Sequence, residues 1–544
     1  MIKIVKSVLF AALFSVLLFG KTAQAQTINA ATCNSSDVQA ALNKIAVDGT
    51  TVTIPAGNCT WSTPVTYNQT KSFTLQGAGA ISGTGSMSSI GGTGSDLTVI
   101  QDNVNHSVAD PPLLQISTLS GKSMRITGIA FTTSAANATQ TFNGCVRIYG
   151  SSHSVRIDHN HFNKINSVDL VVAGWVEGVS DHNQHDAGFS DEFQTRVDHG
   201  GWNNDPVGNG DQSWADFSYF GSSQFFFLES NNYQFKTNIC AFPGTHAFAF
   251  DDFFGGRLVF RNNAVGNCIA LQTHPQAGDI RGGRAVEVYR NTFVYNPSPN
   301  GSDTTTYFSQ LVMFETGTGL WWGNSITGFA NFILADVVRT NNATYPQSPA
   351  PAGWGYCGTT LGPSPWDNNS DATGRACIDS IGRGKGDLLT GLFPNKKNSA
   401  TGTITWPHQA SEPVYAWMNI FKTFTNLSNF NYWNNTGPVA IVENQDYYLE
   451  LPNQNKAATF NGTAGVGSGP VSARPATCTA GLGGNTPGVG YWATDVNGGT
   501  LFVCNPTNTW TTYYTPYTFP HPLTQGSGTG SNVAAPTNLA AVIQ

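Results

Sequence analysis

Charged and polar side chains follow several short apolar runs in the middle of the chain. In AFAFDD two adjacent carboxylates, Asp251 and Asp252, come directly after such a run. The run in IALQTH leads into Gln272 and His274, and the run in LVMFE leads into Glu315. Carboxylates and an imidazole can exchange protons with a substrate, and carboxylates also bind hard cations such as Ca²⁺. This stretch therefore holds the candidate chemistry of the chain.

Three arginines, Arg257, Arg281 and Arg284, lie close behind the same runs. Guanidinium groups bind planar anionic groups such as carboxylates. Trp214 lies earlier, in a polar and Gly-rich stretch, where its ring could stack on a ligand. Each charged residue also has a structural alternative, because Asp and Arg at turns often tie neighbouring segments together.

The apolar runs are short, are bounded by Gly and Asn, and lack the 3.6-residue period of a helix, so they are predicted to be buried β-strands. A strand followed by Asn, one residue and an apolar or ring side chain recurs along the chain. These Asn residues are Asn160, Asn183, Asn231, Asn263, Asn291 and Asn324. Their separations of 23, 48, 32, 28 and 33 residues indicate a solenoid. The longest interval fits two turns or one turn with a long insertion.

The Asn repeat resembles that of the right-handed parallel β-helix of the pectate-lyase type, in which an Asn ladder lines the turn between the second and third sheets. Asn suits this turn because it tolerates a left-handed backbone and its amide can bond to the next Asn. The spacing by itself also permits a left-handed β-helix or a propeller. We therefore predict an all-β protein, a right-handed parallel β-helix with an N-terminal capping helix and a small C-terminal module.

Several longer strings resemble those of a family of secreted bacterial β-helix proteins of pectate-lyase-like fold and unassigned activity. They include RIDHNHF, GGRLVFRNN, RGGRAVEVYRNTF, CIDSIGRGKGDLL and YTPYTFPHPL, and the resemblance covers most of the mature chain. It implies little about chemistry. The Arg-x-Pro-x-x-Arg run of one pectate lyase group and the polygalacturonase Arg-Ile-Lys are both absent, so no catalytic residue is carried over from either family.

If the strands before Asp251, Gln272 and Glu315 are neighbours in one parallel sheet, they stack about 4.8 Å apart. The residues that end them then form a row on one outer face, within reach of one sugar unit. In a polysaccharide lyase, Asp251, Asp252 and Glu315 would bind Ca²⁺, and the ion would neutralise a uronate carboxylate and acidify the neighbouring proton. His274 or Arg284 would then remove that proton. The substrate-binding residues would be Arg257, Arg281, Gln272 and Trp214.

In a glycoside hydrolase, one acid of the row would protonate the leaving oxygen while another activates water or attacks directly. A third interpretation is a non-catalytic adhesin or surface solenoid that only binds glycan. We favour the lyase, which would cleave a uronate-containing glycan by β-elimination, because the three arginines beside the acids could bind an anionic substrate.

The segments of the chain are predicted from local composition. Residues 1–25 have the basic, apolar and small-residue regions of a secretory signal peptide, and no later run is long enough to span a membrane. The β-helix is predicted at 26–450 with inserted loops at about 186–218 and 341–398, followed by a linker at 451–476, a Cys- and aromatic-rich module at 477–525 and a flexible tail at 526–544. We expect a secreted monomer, extracellular or periplasmic, and a net charge of −7 argues against nucleic acid as a partner.

The first predicted element is an amphipathic helix at Ser36–Ala46, which would cover the open end of the solenoid. Ser36 and Gln39 are spaced as a capping box, and the apolar stripe is Val38, Ala41, Leu42 and Ile45. We expect the inserted loop at 186–218 to fold over the face that carries Asp251 and His274.

The nine cysteines contain no zinc-type CxxC pair. In an oxidising compartment the plausible disulfides join neighbours in sequence: Cys33 with Cys59, Cys240 with Cys268, Cys357 with Cys377, and Cys478 with Cys504. Cys145 is then left over. Buried free thiols are the alternative.

Overall fold

The computed structural model describes residues 25–135, 137, 139, 141–166, 168–187, 192–198, 220–235, 247–253, 255–266, 269–273, 283–295, 310–329, 331–336, 381–385, 410–422, 428–433, 443–450 and 460–525. Within these ranges one α-helix, α1, spans Ser35–Leu42, and short 3-10 helices span Met87–Ser89, Val471–Ala473, Leu482–Gly484 and Pro522–Thr524. None of these described helices has the length and apolar character needed to cross a membrane. The rest of the described regular structure is β-strand.

The strands, numbered in chain order, are β1 (Thr27–Asn29), β2 (Thr50–Thr53), β3 (Gly57–Trp61), β4 (Val65–Asn68), β5 (Phe73–Gln76), β6 (Thr98–Asp102), β7 (Leu114–Thr118), β8 (Met124–Thr127), β9 (Ala130–Thr133), β10 (Val146–Gly150), β11 (Val155–Asp158), β12 (His161–Asn163), β13 (Val168–Gly174), β14 (Gly178–Asp181), β15 (Gln184–Ala187), β16 (Glu192–Asp198), β17 (Phe226–Glu229), β18 (Asn232–Phe235), β19 (Ala247–Phe253), β20 (Arg257–Arg261), β21 (Ala264–Val265), β22 (Ala270–Thr273), β23 (Ala285–Tyr289), β24 (Thr292–Val294), β25 (Gln310–Phe314), β26 (Thr318–Trp322), β27 (Ser325–Thr327), β28 (Asn331–Asp336), β29 (Arg383–Lys385), β30 (Ala410–Ser411), β31 (Val414–Trp417), β32 (Ile420–Lys422), β33 (Ser428–Trp433), β34 (Tyr447–Leu449), β35 (Val466–Gly469), β36 (Gly490–Ala493), β37 (Thr500–Cys504) and β38 (Trp510–Tyr514).

Most of these strands belong to three long parallel sheets, and successive strands along the chain are added to the three sheets in turn. Sheet A has the order β1-β2-β5-β8-β11-β14-β17-β20-β23-β26-β31-β34, sheet B the order β3-β6-β9-β12-β15-β18-β21-β24-β27-β32, and sheet C the order β4-β7-β10-β13-β16-β19-β22-β25-β28-β33. Each coil adds one strand to each sheet, so that β17, β18 and β19 lie in register beside β14, β15 and β16. The prediction of an all-β parallel β-helix is confirmed. Parallel connections of this kind are almost always right-handed.

The predicted Asn repeat forms a hydrogen-bonded ladder in the turn from sheet A to sheet B. Oδ1 of Asn231 accepts hydrogen bonds from the backbone N–H and Nδ2 of Asn183, at 2.8 and 3.2 Å. The ladder consists of Asn160, Asn183, Asn231, Asn263, Asn291, Asn324 and Asn419. Because Asn183 bonds directly to Asn231, the 48-residue interval is one turn with an insertion.

The interior of the coil is apolar and partly aromatic. Facing inward from sheet B, the rings of Phe131, Phe162, His185 and Tyr233 stack with successive centroids 5.5, 4.9 and 4.7 Å apart. Nδ1 of His185 lies 2.9 Å from a carboxylate oxygen of Asp169. Burial lowers the pKa of His185 to about 3, so this ring is a neutral member of the core.

The helix α1 covers the N-terminal end of the solenoid, as predicted. Its apolar stripe is buried, but the capping box is wrong, since the helix is preceded by Asn34 and no side chain caps it. Gln39 instead bonds to the edge strand β4. Its Nε2 donates to the carbonyl oxygen of Thr66 at 2.8 Å, and its Oε1 accepts from the Thr66 N–H at 2.9 Å. The Gln39 side chain thus hydrogen-bonds the N–H and carbonyl groups of Thr66, which the unpaired edge of β4 would otherwise expose.

A small C-terminal sheet, β35 to β38, packs on the outer face of sheet A. The ring of its Trp492 lies 4.9 Å from the ring of Trp322 and 5.2 Å from that of Trp417, both in sheet A. Trp321 and Trp322 are buried, so these rings are core. The sheet includes β35, which lies within the predicted linker at 451–476, so the module begins earlier than the predicted residue 477.

Residues 77–97 cross the outer face of sheet B. Gln184 Nε2 donates to the carbonyl oxygen of Ile90 at 3.1 Å, and Oδ1 of Asn232 accepts from the Gly85 N–H at 3.0 Å. With the module on sheet A, two of the three outer faces are covered by described parts of the chain. The third face belongs to sheet C.

Two of the predicted disulfides are present, Cys33–Cys59 and Cys478–Cys504. Cys145 is a buried free thiol, as expected of the cysteine left over. Cys240, Cys268, Cys357 and Cys377 lie outside the described residues, as does the predicted signal peptide apart from Ala25.

A strand lies where we predicted an inserted loop. β16 (Glu192–Asp198) pairs with β13 on one side and β19 on the other, so the first part of the predicted loop at 186–218 is a regular member of sheet C. The sequence of this strand, EFQTRVD, is largely polar, which is why it was predicted to be a loop. Residues 199–219 lie outside the described residues, and the expectation that the loop covers Asp251 and His274 stays a prediction. Within the second predicted insertion, β29 pairs antiparallel with β30.

Candidate active site

The outer face of sheet C carries a row of side chains in register on successive coils. The row consists of Gln115, Arg147, Val171, Arg196, Asp251, Gln272 and Met313. Side chains alternate between the two faces of a strand, and the neighbours Val172 and Val197 belong to the core. The row therefore faces outward, and it is polar and charged over three adjacent coils, from Arg196 to Gln272.

β16 brings a charged pair to this face. Arg196 Nε donates to Oδ1 of Asp198 at 2.9 Å, and the guanidinium lies 4.9 Å from the centroid of the Phe253 ring. The Asp198 side chain is only 1% exposed and that of Arg196 is 17% exposed. The pair is thus held in place by packing and by a charge-assisted hydrogen bond.

β19 places Asp251 on the same face, directly opposite Arg196. A register shift between Phe248 and Asp251 lets the strand pair with β22 on its other side. Asp198 lies one strand across and two residues along from Asp251, so their α-carbons are roughly 8 Å apart for a strand spacing of ~4.8 Å and a rise of ~3.3 Å per residue. By strand alternation both side chains belong to the same face.

The structure does not bring Asp252 to this row. It lies in register with the core residue Val197, on the inward side of the strand. A side chain at Gly256 or Gly283 would collide with the Asp252 carboxylate, which shows that the carboxylate packs against these two turns. We predicted that Asp251 and Asp252 would act together, but strand alternation points them to opposite faces.

Gln272 and Glu315 extend the outward face along the next coils. Gln272 Nε2 lies 3.4 Å from Oε2 of Glu315, and the Glu315 backbone N–H donates to Oγ1 of Thr273 at 3.0 Å. Glu315 is two strands and two residues away from Asp251, on the order of 12 Å by the same sheet spacing. Glu315 therefore joins the row through Gln272.

Arg257 and Arg284, predicted to bind or deprotonate substrate, lie instead in sheet A and in the turn before it, and both are buried. Arg284 Nη1 donates to Oε2 of Glu412 at 2.8 Å, and both side chains are 6% exposed. This pair ties two coils together. His274, Arg281 and Trp214 lie outside the described residues, so their predicted roles stay predictions.

The predicted calcium ligands do not form a cage. Asp252 faces away from Asp251, and Glu315 is too far along the sheet to share an ion with it. No group of three His, Cys, Asp or Glu side chains suited to a metal ion occurs in the described part of the chain. The geometry of these three residues does not fit calcium, which demands several oxygen ligands around one point.

The acidic side chains of sheet A have structural roles. Asp158 accepts hydrogen bonds from Nε and Nη2 of Arg125, both at 2.6 Å. Burial by itself would raise the pKa of Asp158, but the bonds to Arg125 and His159 lower it to about 2. Glu229 lies 2.6 Å from Nη2 of the buried Arg261. These contacts give Asp158 and Glu229 structural roles, and they leave sheet C as the face with candidate chemistry.

Sequence reasoning missed Arg196 and Asp198 because it placed them in a loop. The signal was present in TRVD, whose alternating Arg and Asp flank an apolar Val. That pattern is typical of a strand with a charged outer face.

Fold and site together define a parallel β-helix with a charged row on the outer face of its third sheet. No family model and no curated protein matches the sequence. Among solved structures, the catalytic domain of a GH87 alpha-1,3-glucanase in complex with nigerose is similar at 8% identity and a TM-score of 0.31, over 79% of this chain and 68% of that chain. Geobacillus virus E2 ORF18 is similar at 10% identity and a TM-score of 0.27, over 89% of this chain and 76% of that chain. Similarities this distant do not indicate what the chain binds or cleaves.

Proposed function

We propose that this chain is an extracellular polysaccharide-degrading enzyme, a glycoside hydrolase that acts with inversion on the outer face of sheet C. The observation that carries this proposal is the placement of Asp198 and Asp251 on adjacent strands, facing the same way. Inverting glycosidases hold their two carboxyl groups about 6.5–9.5 Å apart to leave room for water, whereas retaining enzymes hold them about 5–5.5 Å apart. Two carboxylates that project alike from α-carbons roughly 8 Å apart would fall in the inverting range.

The contacts of the two acids suggest their roles. The ion pair with Arg196 favours the charged form of Asp198, which suits a general base that activates water. Asp251 then supplies the proton to the leaving glycosidic oxygen. Arg196 acts as a positioning residue, because it fixes the Asp198 carboxylate beside the strand that carries Asp251. The water attacks the anomeric carbon from the face opposite the leaving group, and the configuration inverts.

The sequence had favoured a lyase because three arginines followed the acids. Arg284 is held in a buried ion pair with Glu412, and Arg257 is buried in sheet A. Neither arginine belongs to the outward row of sheet C. The proposed calcium ligands also lie on different faces and coils. These two observations favour hydrolysis over β-elimination.

A polymer is the substrate that best suits this face. The outward row crosses seven adjacent strands in register, from Gln115 to Met313, so its positions repeat at the strand spacing along the solenoid axis. Two disulfides support secretion, because such bonds persist in oxidising compartments. Outside the cell, an intact glycan is an available substrate.

The proposal is tested by incubating the purified mature chain with neutral glucans, galactomannan, polygalacturonate and alginate. Reducing ends and the ultraviolet absorbance of unsaturated uronates are followed in parallel. New reducing ends without unsaturated products support the hydrolase. Unsaturated products would support the lyase, and binding without cleavage would support the adhesin.

A further inference from the structure

We infer that Phe142 is a sugar-stacking platform that binds the face of a pyranose ring on the N-terminal side of the Asp198–Asp251 pair. This inference rests on the proposed function, since it names a binding subsite of the same face. Phe142 is 53% exposed, which is unusual for a large apolar side chain in this structure. Aromatic rings bind the apolar faces of sugars by stacking.

The backbone around Phe142 lies on the outer face of sheet C. A side chain at Gly144 would come within 2.9 Å of Cγ2 of Val171. Val171 is the outward residue directly opposite Arg196. Arg196 Nη1 donates to the carbonyl oxygen of Phe142 at 3.3 Å, while Nε of the same guanidinium holds Asp198. Arg196 thus links the backbone of Phe142 to Asp198, the proposed catalytic base.

The segment that carries Phe142 is held in place by hydrogen bonds to Asp110. Oδ2 of Asp110 accepts hydrogen bonds from the backbone N–H groups of Phe142 and Asn143, both at 2.8 Å. Asn143 Nδ2 donates in return to the carbonyl oxygen of Asp110 at 2.9 Å. Ala109 and Asp110 have φ values of 62° and 40°, a left-handed conformation that side chains rarely adopt. Strain of this kind persists where the surroundings demand it and is common at ligand-binding sites.

A buried imidazole completes the support. Nε2 of His106 lies 3.1 Å from Asp102, and Nδ1 lies 2.9 Å from the carbonyl oxygen of Pro111 and 3.5 Å from Oδ1 of Asp110. Burial opposes the charge of His106, but the neighbouring Asp102 and Asp110 carboxylates raise its pKa to about 9. The cation therefore persists at neutral pH beside the carboxylate that holds the Phe142 segment. An exposed ring on a rigid base loses little entropy when it binds a ligand.

Taken along the sheet, these contacts give the direction of the bound chain. The Phe142 carbonyl contacts Arg196 of β16, and Gly144 approaches Val171 of β13, so this segment lies on the side of β16 that faces the N-terminal coils. Asp251 lies on the opposite side of β16. A glycan that stacks on Phe142 and places its scissile bond between Asp198 and Asp251 therefore runs across the strands, parallel to the solenoid axis.

The test compares wild type, Phe142→Ala, Phe142→Trp and Phe519→Ala on the polysaccharide that wild type hydrolyses fastest. Phe519 is a matched control, because it is 44% exposed but lies beside Arg261 on the side of sheet A. We expect Phe142→Ala to raise KM about tenfold with kcat nearly unchanged. Phe142→Trp should restore KM, and Phe519→Ala should have no effect. An unchanged KM in Phe142→Ala overturns the inference while leaving the hydrolase in place.

A binding measurement separates this inference from the proposed function. Asp251→Asn, with and without Phe142→Ala, is run in affinity gels containing each polysaccharide of the panel. Retardation that Phe142→Ala abolishes supports the platform even if wild type cleaves nothing, in which case only the hydrolase fails. Retardation that is equal in both chains, or absent with every polysaccharide, overturns the platform.

Discussion

Arg196 and Asp251 lie directly opposite one another on adjacent strands of sheet C, and Arg196 also holds Asp198 at 2.9 Å. The Asp198 carboxylate, which is ion-paired with Arg196, and the Asp251 carboxylate are thereby presented on one face, two residues out of step. Two carboxylates on one face can divide the work of acid and base when their environments differ.

The first prediction concerns the two acids. Asp198→Asn and Asp251→Asn should each lower kcat by about 10²–10⁴-fold, the usual contribution of a general acid or base. Asn keeps the size and most hydrogen bonds, so the melting temperature of Asp251→Asn should change little, whereas Asp198→Asn also weakens the bond to Arg196 and should melt lower. Asp252→Asn is the matched control, since it changes the adjacent residue on the inward face. If Asp252→Asn abolishes turnover and Asp251→Asn does not, the wrong face has been assigned.

Much of the fold could be predicted from sequence because its signal is periodic and local. The Asn repeat, for example Asn263 and Asn291, marks one turn in each coil, and the ladder bonds explain why Asn is needed there. The site was harder to predict. Whether Asp251 or Asp252 faces outward depends on strand register, and a shift of one residue exchanges the two faces. Asp198 was missed because a strand with polar residues on its outer face resembles a loop in sequence.

The second prediction concerns Arg284, which the sequence suggested as a catalytic base. Arg284→Ala should lower the free energy of unfolding by about 3–5 kcal/mol, because it leaves the Glu412 carboxylate buried without its cation. The double variant Arg284→Met with Glu412→Gln should be less destabilised. Chemical denaturation measures both. A large loss of kcat with unchanged stability would show that Arg284 has a catalytic role and would contradict this prediction.

The third prediction concerns the Asn ladder. Asn263 donates from Nδ2 to Leu228 and Asn291, and its Oδ1 accepts from Asn231. Asn263→Ala removes these bonds and leaves buried backbone groups without partners, at a cost of about 2–4 kcal/mol. Asn58→Ala, at an exposed Asn, should cost less than about 0.5 kcal/mol. Equal costs at the two positions would show that the ladder adds nothing to stability.

The fourth prediction concerns Glu287, which faces the C-terminal module from sheet A. Burial raises the pKa of Glu287 to about 7, although the Gly221 N–H bonded to its carboxylate acts in the opposite direction. A raised pKa means that the folded chain holds the proton more tightly. This contribution is complete below the ordinary pKa of about 4.5 and is lost as the pH rises through 7.

Glu287→Gln should therefore flatten the fall in the free energy of unfolding between pH 5 and pH 8, by an amount on the order of 1 kcal/mol, and with it the fall in melting temperature. The amide can still accept the Gly221 hydrogen bond and carries no charge. Calorimetric scans of both chains at several pH values give the comparison. Parallel curves would show that Glu287 does not titrate in this range.

The most direct test of the proposed hydrolase is the anomeric configuration of its first product. Wild type is mixed with the polysaccharide that it hydrolyses fastest, and proton NMR spectra are recorded before mutarotation equilibrates the new reducing end. We predict that the first-formed reducing end has the configuration opposite to that of the cleaved bond, because Asp198 and Asp251 stand on one face with α-carbons roughly 8 Å apart, which leaves room for an attacking water. Retention of configuration, or an unsaturated uronate at the new non-reducing end, would contradict the assignment of Asp198 and Asp251 as an inverting pair.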